Sequence, residues 1–167
     1  ELSDVEAGTG GFVINGVSTG DGSGWSVSNA GDVNGDGMDD LIVGAPFDDR
    51  NGSRSGASFV VFGTSDSVTV ELSNVAAGTG GFVVNGVSAD DRSGLTVSSA
   101  GDVNGDGLDD LIIGAPYDDP NGENSGSSFI VFGQGAVDLV SASDSGSSDT
   151  DNRTSDTTPT ITFSIEA

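Results

Sequence analysis

The chain contains no cysteine, histidine or lysine, and its only cations are four arginines, Arg50, Arg54, Arg92 and Arg153. Without cysteine there is no disulfide framework, no thiolate metal site and no cysteine nucleophile. Without histidine neither a Ser-His-Asp triad nor a His-ligated zinc can be built. No run of eighteen apolar residues occurs, so no membrane-spanning helix and no membrane insertion are expected. The opening "ELSDV" shows no initiator Met and no signal-like apolar stretch, and reads as the start of a mature or excised piece. Positive charge is nearly absent. Asp and Glu number 27 against 4 Lys plus Arg, a formal net charge of −23. Such a field repels nucleic acid and anionic lipid and attracts cations. Some of the acids lie outside any motif and read as a solvated acidic surface.

What is present is glycine, 28 residues in a chain of 167, a length that suits one domain. With abundant Ser and Asp and few Leu, this composition argues against helix and for turn-rich β structure. The chain also repeats. "ELSDVEAGTGGFVINGVS" at Glu1 returns as "ELSNVAAGTGGFVVNGVS" at Glu71, and residues 1–70 match 71–140 without gaps at 47 of 70 positions. Each unit carries four short β-branched or aromatic runs bounded by Gly, Asn, Asp and Ser. They are residues 11–16, 24–28, 40–46 and 58–63, and their counterparts 81–86, 94–98, 110–116 and 128–133. "LIV" and "FVVF" are continuously apolar and should be buried on both faces. Four strands per repeat suggest propeller blades. From about Ser141 a Ser/Asp/Thr-rich stretch reads as a self-repelling linker, and "TPTITFSI" at its end as a lone strand.

The acidic residues concentrate in two loops, "GDVNGDGMDDLIVGAP" and "GDVNGDGLDDLIIGAP". The pattern is D-x-N-x-D-G-x-x-D. In the first copy Asp32, Asn34, Asp36 and Asp40 place side-chain oxygens at loop positions 1, 3, 5 and 9, and Met38 offers its carbonyl at position 7. In the second copy the set is Asp102, Asn104, Asp106, Asp110 and Leu108. Gly37 and Gly107 stand where a sharp turn is needed. A hard cation such as Ca²⁺ requires this spacing of six or more oxygens at about 2.3–2.6 Å. Three carboxylates per loop repel one another, and Ca²⁺ offsets most of that charge, so two Ca²⁺ per chain are expected. The loops are not EF-hands, because Val43 and Ile113 stand where a bidentate Glu would be needed. Without metal, "NGDG" is also good turn chemistry. Asp39 and Asp109 are expected to face solvent or a neighbouring strand, Asp21 and Asp91 to lie in solvated turns, and Asp48, Asp49, Asp118 and Asp119 to lie in surface loops.

"SGWSVSNAGDVNGDGMDDLIVGAP" with "SGASFVVFG" resembles the FG-GAP repeat of integrin α-subunit propellers and of bacterial extracellular proteins that share it, over about residues 1–140. The tail resembles the start of a bacterial Ig-like domain. The resemblance implies blades with a Ca²⁺-binding hairpin loop between their first two strands, and the ten residues named above fall on the family's metal positions. It also implies that the repeat boundary falls inside the blade, so that residues 81–86 close the first blade, the second blade lacks its outer strand, and residues 11–16 are a spare strand. The fold class expected is all-β: two tandem four-stranded β-propeller-type blades with Ca²⁺-binding hairpin loops, built from two FG-GAP repeats (residues 1–70 and 71–140), plus a linker and terminal strand at 141–167. The function expected is that of a non-enzymatic, calcium-binding, secreted or cell-surface structural or adhesive module, a homo-oligomer or filament built by head-to-tail strand donation. The alternative is a carbohydrate- or ligand-binding propeller fragment, in which Trp25, Phe47 and Tyr117 would meet a glycan. Catalysis by paired carboxylates is disfavoured, because each close pair belongs to a metal-type loop.

Overall fold

A computed structural model describes residues 1–66 and 68–135. The expected linker and terminal strand lie outside the described residues. In chain order the elements are α1 (Leu2–Glu6), β1 (Ile14–Asn15), β2 (Ser26–Gly31), β3 (Asp40–Ala45), β4 (Ala57–Val61), β5 (Val70–Glu71), α2 (Leu72–Ala76), β6 (Gly81–Asn85), β7 (Thr96–Gly101), β8 (Asp110–Ala115) and β9 (Ser127–Val131).

The strands form blades across the repeat boundary. β2, β3, β4 and β6 make one antiparallel sheet in that order, and β7, β8 and β9 make a three-stranded sheet. β6 comes from the second copy of the repeat but pairs with β4, from Val61 opposite Gly81 to Ala57 opposite Asn85. Among the described residues no strand pairs the outer edge of β9. Both sheets carry the same irregularity where the first strand meets the acidic loop, between Asn29 and Gly31 and between Ser99 and Gly101.

Alternation along the strands sends successive side chains to opposite faces. In the first blade both faces carry buried side chains, although Val27 and Leu41 stay exposed. Val43, Phe59 and Val61 pack with Leu72 and Val75 of α2 on one face. Ile42 and Val60 pack on the other against Leu111 and Ile113 of the second blade, so this cluster is the joint between the blades.

Two expectations need correction. Composition argued against helix, yet "LSDVE" and "LSNVA" each form one short α-helix. Leu72 and Val75, three apart, fall on one helical face and are buried, while α1 buries nothing. The α2 turn ends at Gly78, whose φ of +85° is left-handed and whose N–H donates to the Val75 carbonyl at 2.9 Å. Second, residues 11–16 are not a free strand. Only Ile14 and Asn15 are extended into a ladder, and they pair in parallel with Val70 and Glu71. Without a preceding sheet in the described chain, this segment has only a two-residue partner.

Candidate functional site: the two acidic loops

Each acidic loop joins the first two strands of its blade. Asp32 stands at the head of the first loop and organises the turn below it. Its Oδ1 accepts from Gly35 N–H at 2.8 Å and Asp36 N–H at 3.1 Å, and its Oδ2 from Gly37 N–H at 2.9 Å. Asn34 Oδ1 accepts from Asp36 N–H, and Asp36 Oδ1 from Met38 N–H. Asn34 Nδ2 donates to Asp36 Oδ2 at 2.9 Å. Gly35 and Gly37 both have left-handed φ, +77° and +86°, which lets the chain double back so that three amides point at one carboxylate. The second loop repeats this pattern with Asp102, Asn104, Asp106 and Leu108.

Asp40 differs from the others. It is fully buried, and its two oxygens accept from Val33 N–H at 3.0 Å and Gly63 N–H at 2.8 Å. It therefore ties the loop to the end of β4, twenty-three residues away in sequence. Asp110 makes the same pair of bonds with Val103 and Gly133. Burial pushes the Asp40 carboxyl above the usual carboxylate range. The two amides pull it back, and the charges of Asp36 and Asp32 push it further up. Asp40 thus senses the like charges of Asp36 and Asp32.

The structure brings each set of five residues into one short loop. As the side chains stand, no three acidic groups converge around a single point among the described residues. The donor set still fits a hard cation. It offers only oxygen, and a carboxylate oxygen accepting one amide keeps a further lone pair. Asp32, Asn34, Asp36 and Asp40, with the Met38 carbonyl, would hold the ion in the first loop, and Asp102, Asn104, Asp106 and Asp110, with the Leu108 carbonyl, in the second.

Sequence reasoning missed several carboxylates. Asp109 reaches across to the neighbouring loop, where its Oδ2 accepts from Asp32 N–H at 3.0 Å. Its counterpart Asp39, in contrast, faces the neighbouring strand as expected and accepts from Asn29 Nδ2 there. Asp21 and Asp91 are buried rather than solvated, and each accepts a backbone N–H, from Ser18 and Ser88. Burial raises the Asp21 carboxyl above its ordinary range, and the nearby Asp48 raises it further. Asp48 is also buried, with Arg50 Nε 3.0 Å from its Oδ2, so it does not lie in a plain surface loop. The only signal in the sequence was that all of these acids recur at the repeat spacing.

The three candidate aromatics come together. Trp25 is 60% exposed and meets Phe47 edge-on at 5.2 Å. The Arg92 guanidinium lies over Phe47 at 5.7 Å and over Tyr117 at 4.4 Å. No helix among the described residues is long and apolar enough to cross a membrane.

Comparison with known proteins agrees with this architecture. The FG-GAP repeat family matches at residues 23–61 and 93–131, the two blade cores with their acidic loops. Integrin alpha-PS2 of Drosophila melanogaster is 36% identical over 114 residues, 66% of this chain and 8% of that protein. Integrin alpha-6 of Gallus gallus is 38% identical over 88 residues, 52% of this chain and 7% of that protein. Integrin alpha-5 of Xenopus laevis is 36% identical over 126 residues, 69% of this chain and 10% of that protein. The chain therefore spans a tenth or less of the length of these relatives. Over residues 23–61 and 93–131 it carries two FG-GAP repeats, and it is related to integrin α subunits.

Proposed function

We propose that this chain is a calcium-binding extracellular or cell-surface module of structural or adhesive function, that it takes one Ca²⁺ in each acidic loop, and that it joins other copies or further repeats by strand exchange. The observation that carries the calcium reading is the duplicated loop. Two separate segments fold into the same hydrogen-bonded acidic loop, with Asp32 and Asp102 each accepting backbone amides of their own turn, each on a repeat of the FG-GAP family. Repulsion of Asp40 by Asp36 and Asp32 is a cost that a bound cation would offset. Extracellular calcium modules bind with dissociation constants of about 10⁻⁴–10⁻³ M, which suits calcium outside cells. A strongly acidic chain without cysteine, related to integrin α subunits, fits that setting. Mg²⁺ is expected to substitute poorly, because it demands tight octahedral geometry and keeps its waters.

The test is thermal unfolding with calcium and with a chelator. If free Ca²⁺ is about 100 times the dissociation constant, each site adds roughly 2.7 kcal/mol to the folded state. The melting temperature should drop sharply on chelation, and an unchanged one refutes the reading. A second reading, glycan binding, is favoured by the exposed Trp25 beside Phe47, Arg92 and Tyr117. A glycan array on the wild type and on Trp25→Ala decides it: binding that is lost in the variant supports a sugar platform, and no binding removes it.

A further inference from the structure

The joint between the two blades is built from two unlike faces, and part of each face occurs a second time, exposed, among the described residues. On one side of the joint stand Ile42 and Val60, with Phe62, Phe82 and Val84. On the other stand Leu111 and Ile113, with Val97 and Val131. Seventy residues after Ile42, Val60 and Phe62 come Ile112, Ile130 and Phe132, which are 36%, 44% and 52% exposed. Seventy residues before Val97 and Leu111 come Val27 and Leu41, 67% and 38% exposed. The bare face of the second blade thus matches the chemistry of the covered face of the first. The bare part of the first blade matches what covers it.

The polar contacts of the joint repeat in the same way. Asp109 N–H donates to the Asp32 carbonyl at 3.1 Å, and the Asp109 carboxylate takes the Asp32 N–H. Gly31, with φ of +74°, leaves room for that carboxylate, which a Cβ there would strike. Gly101 is the equivalent glycine, with φ of +67°, and nothing stands within 4 Å of where its Cβ would be. Asp39, the equivalent of Asp109, lies on the first blade. The first strand completes the pattern. Val84 of β6, the outer strand of the first blade, packs into the joint against the second blade. Its equivalent Ile14, in β1, packs beside the first blade and lines a cleft of about 350 Å³ with Val27, Leu41 and Val43. β1 therefore stands beside the first blade as the outer strand of a preceding blade would.

We infer that these halves meet between molecules: the second blade of one copy docks on the first blade of another, with Ile112, Ile130 and Phe132 against Val27 and Leu41, Asp39 seated over Gly101, and the incoming β1 pairing with β9 as the fourth strand. This deepens the assembly part of the function proposed above and rests on it. The register follows from the first blade, where Ala57 faces Asn85 and Val61 faces Gly81. Ser127 then faces Asn15, and Val131 faces Gly11. The added strand satisfies the main-chain groups of β9 and buries the apolar face in one step. The contact is heterologous, so it runs on as a filament or closes as a ring. Each copy carries −23, so association strengthens as salt or Ca²⁺ screens the charge.

The absence of native cysteine makes disulfide trapping a clean test on the full chain. Asn15→Cys with Ser127→Cys, oxidised at high protein concentration in calcium, should give a reducible ladder of dimers and larger species. Ala57→Cys with Asn85→Cys, the same register inside one chain, should close within a monomer and shows that the geometry admits the bond. Adding Ile130→Asp to the first pair should abolish the ladder. The inference is overturned if the control closes while the first pair stays monomeric or closes within one chain, or if the ladder survives Ile130→Asp. Calcium uptake is read by calorimetry on the same variants. An absent ladder with both calcium sites filled counts against assembly alone, and a ladder without calcium heat counts against the calcium reading alone.

Discussion

Replacing Ile42 and Ile112 by alanine, one at a time, compares two residues that the repeat makes equivalent and the fold makes unequal. Ile42 is fully buried in the joint between the blades, packed with Val60, Leu111 and Ile113. Truncating it removes apolar area from a closed core and leaves a cavity, which costs about 2–5 kcal/mol. Ile112 sits on the bare face of the second blade, 36% exposed. Solvent fills the space its side chain leaves, so only part of the transfer free energy is lost, at most about 1 kcal/mol. Urea unfolding followed by circular dichroism, at a protein concentration low enough to keep the chain monomeric, measures both. With a slope of about 1–3 kcal/mol per molar urea, a loss of about 3 kcal/mol lowers the midpoint by roughly 1–3 M. Ile112→Ala should move it by well under half as much. Equal losses in the monomer would mean that the two faces are covered alike, and the asymmetry on which the joint and its bare halves rest would be wrong.

Asp40→Ala should destabilise the chain even in chelator, by about 2–4 kcal/mol, because it leaves the Val33 and Gly63 amides without their acceptor. Asp36→Ala should cost stability chiefly in calcium, and melting curves with and without chelator separate the two. Asp21→Asn should raise the melting temperature at neutral pH while keeping an acceptor for Ser18 N–H. The sign follows from burial and Asp48, which raise the folded carboxyl above its unfolded value. The neutral form is favoured in the folded state, so the native Asp21 costs nothing below the unfolded carboxylate range and costs stability as pH rises through the folded value. The advantage of the Asp21→Asn variant over the native chain in melting experiments should therefore fade on acidification, and an advantage that grows at low pH would contradict it.

Blade composition was legible because three independent signals agree: a 70-residue repeat, short apolar runs and an acidic turn at a fixed place between two of them. That the 81–86 run would close the sheet begun by β2, β3 and β4, and that the second sheet would want a fourth strand, was implied by the resemblance to the FG-GAP repeat and not by these signals. The two helices were not legible. Five residues among Gly and Ser carry almost no composition signal, and α2 forms because Leu72 and Val75 find the face of β4 to cover. The acidic residues were legible as a set but not in their separate parts. Asp32 and Asp36 make contacts inside their own loop, which the local pattern encodes. Asp40 depends on Gly63 and Asp109 on Asp32, partners that only the fold brings near. Asp21 and Asp48 sit in turn sequences that look solvated, and their burial comes from the packing of separate loops.

Isothermal titration of calcium into the metal-stripped chain tests the central claim most directly. The account predicts two ions per chain at dissociation constants of about 10⁻⁴–10⁻³ M, one ion after Asp36→Ala, one after Asp106→Ala, and none in the double variant. Absence of calcium binding at millimolar concentration, or a stoichiometry that both single variants leave at two, would contradict it.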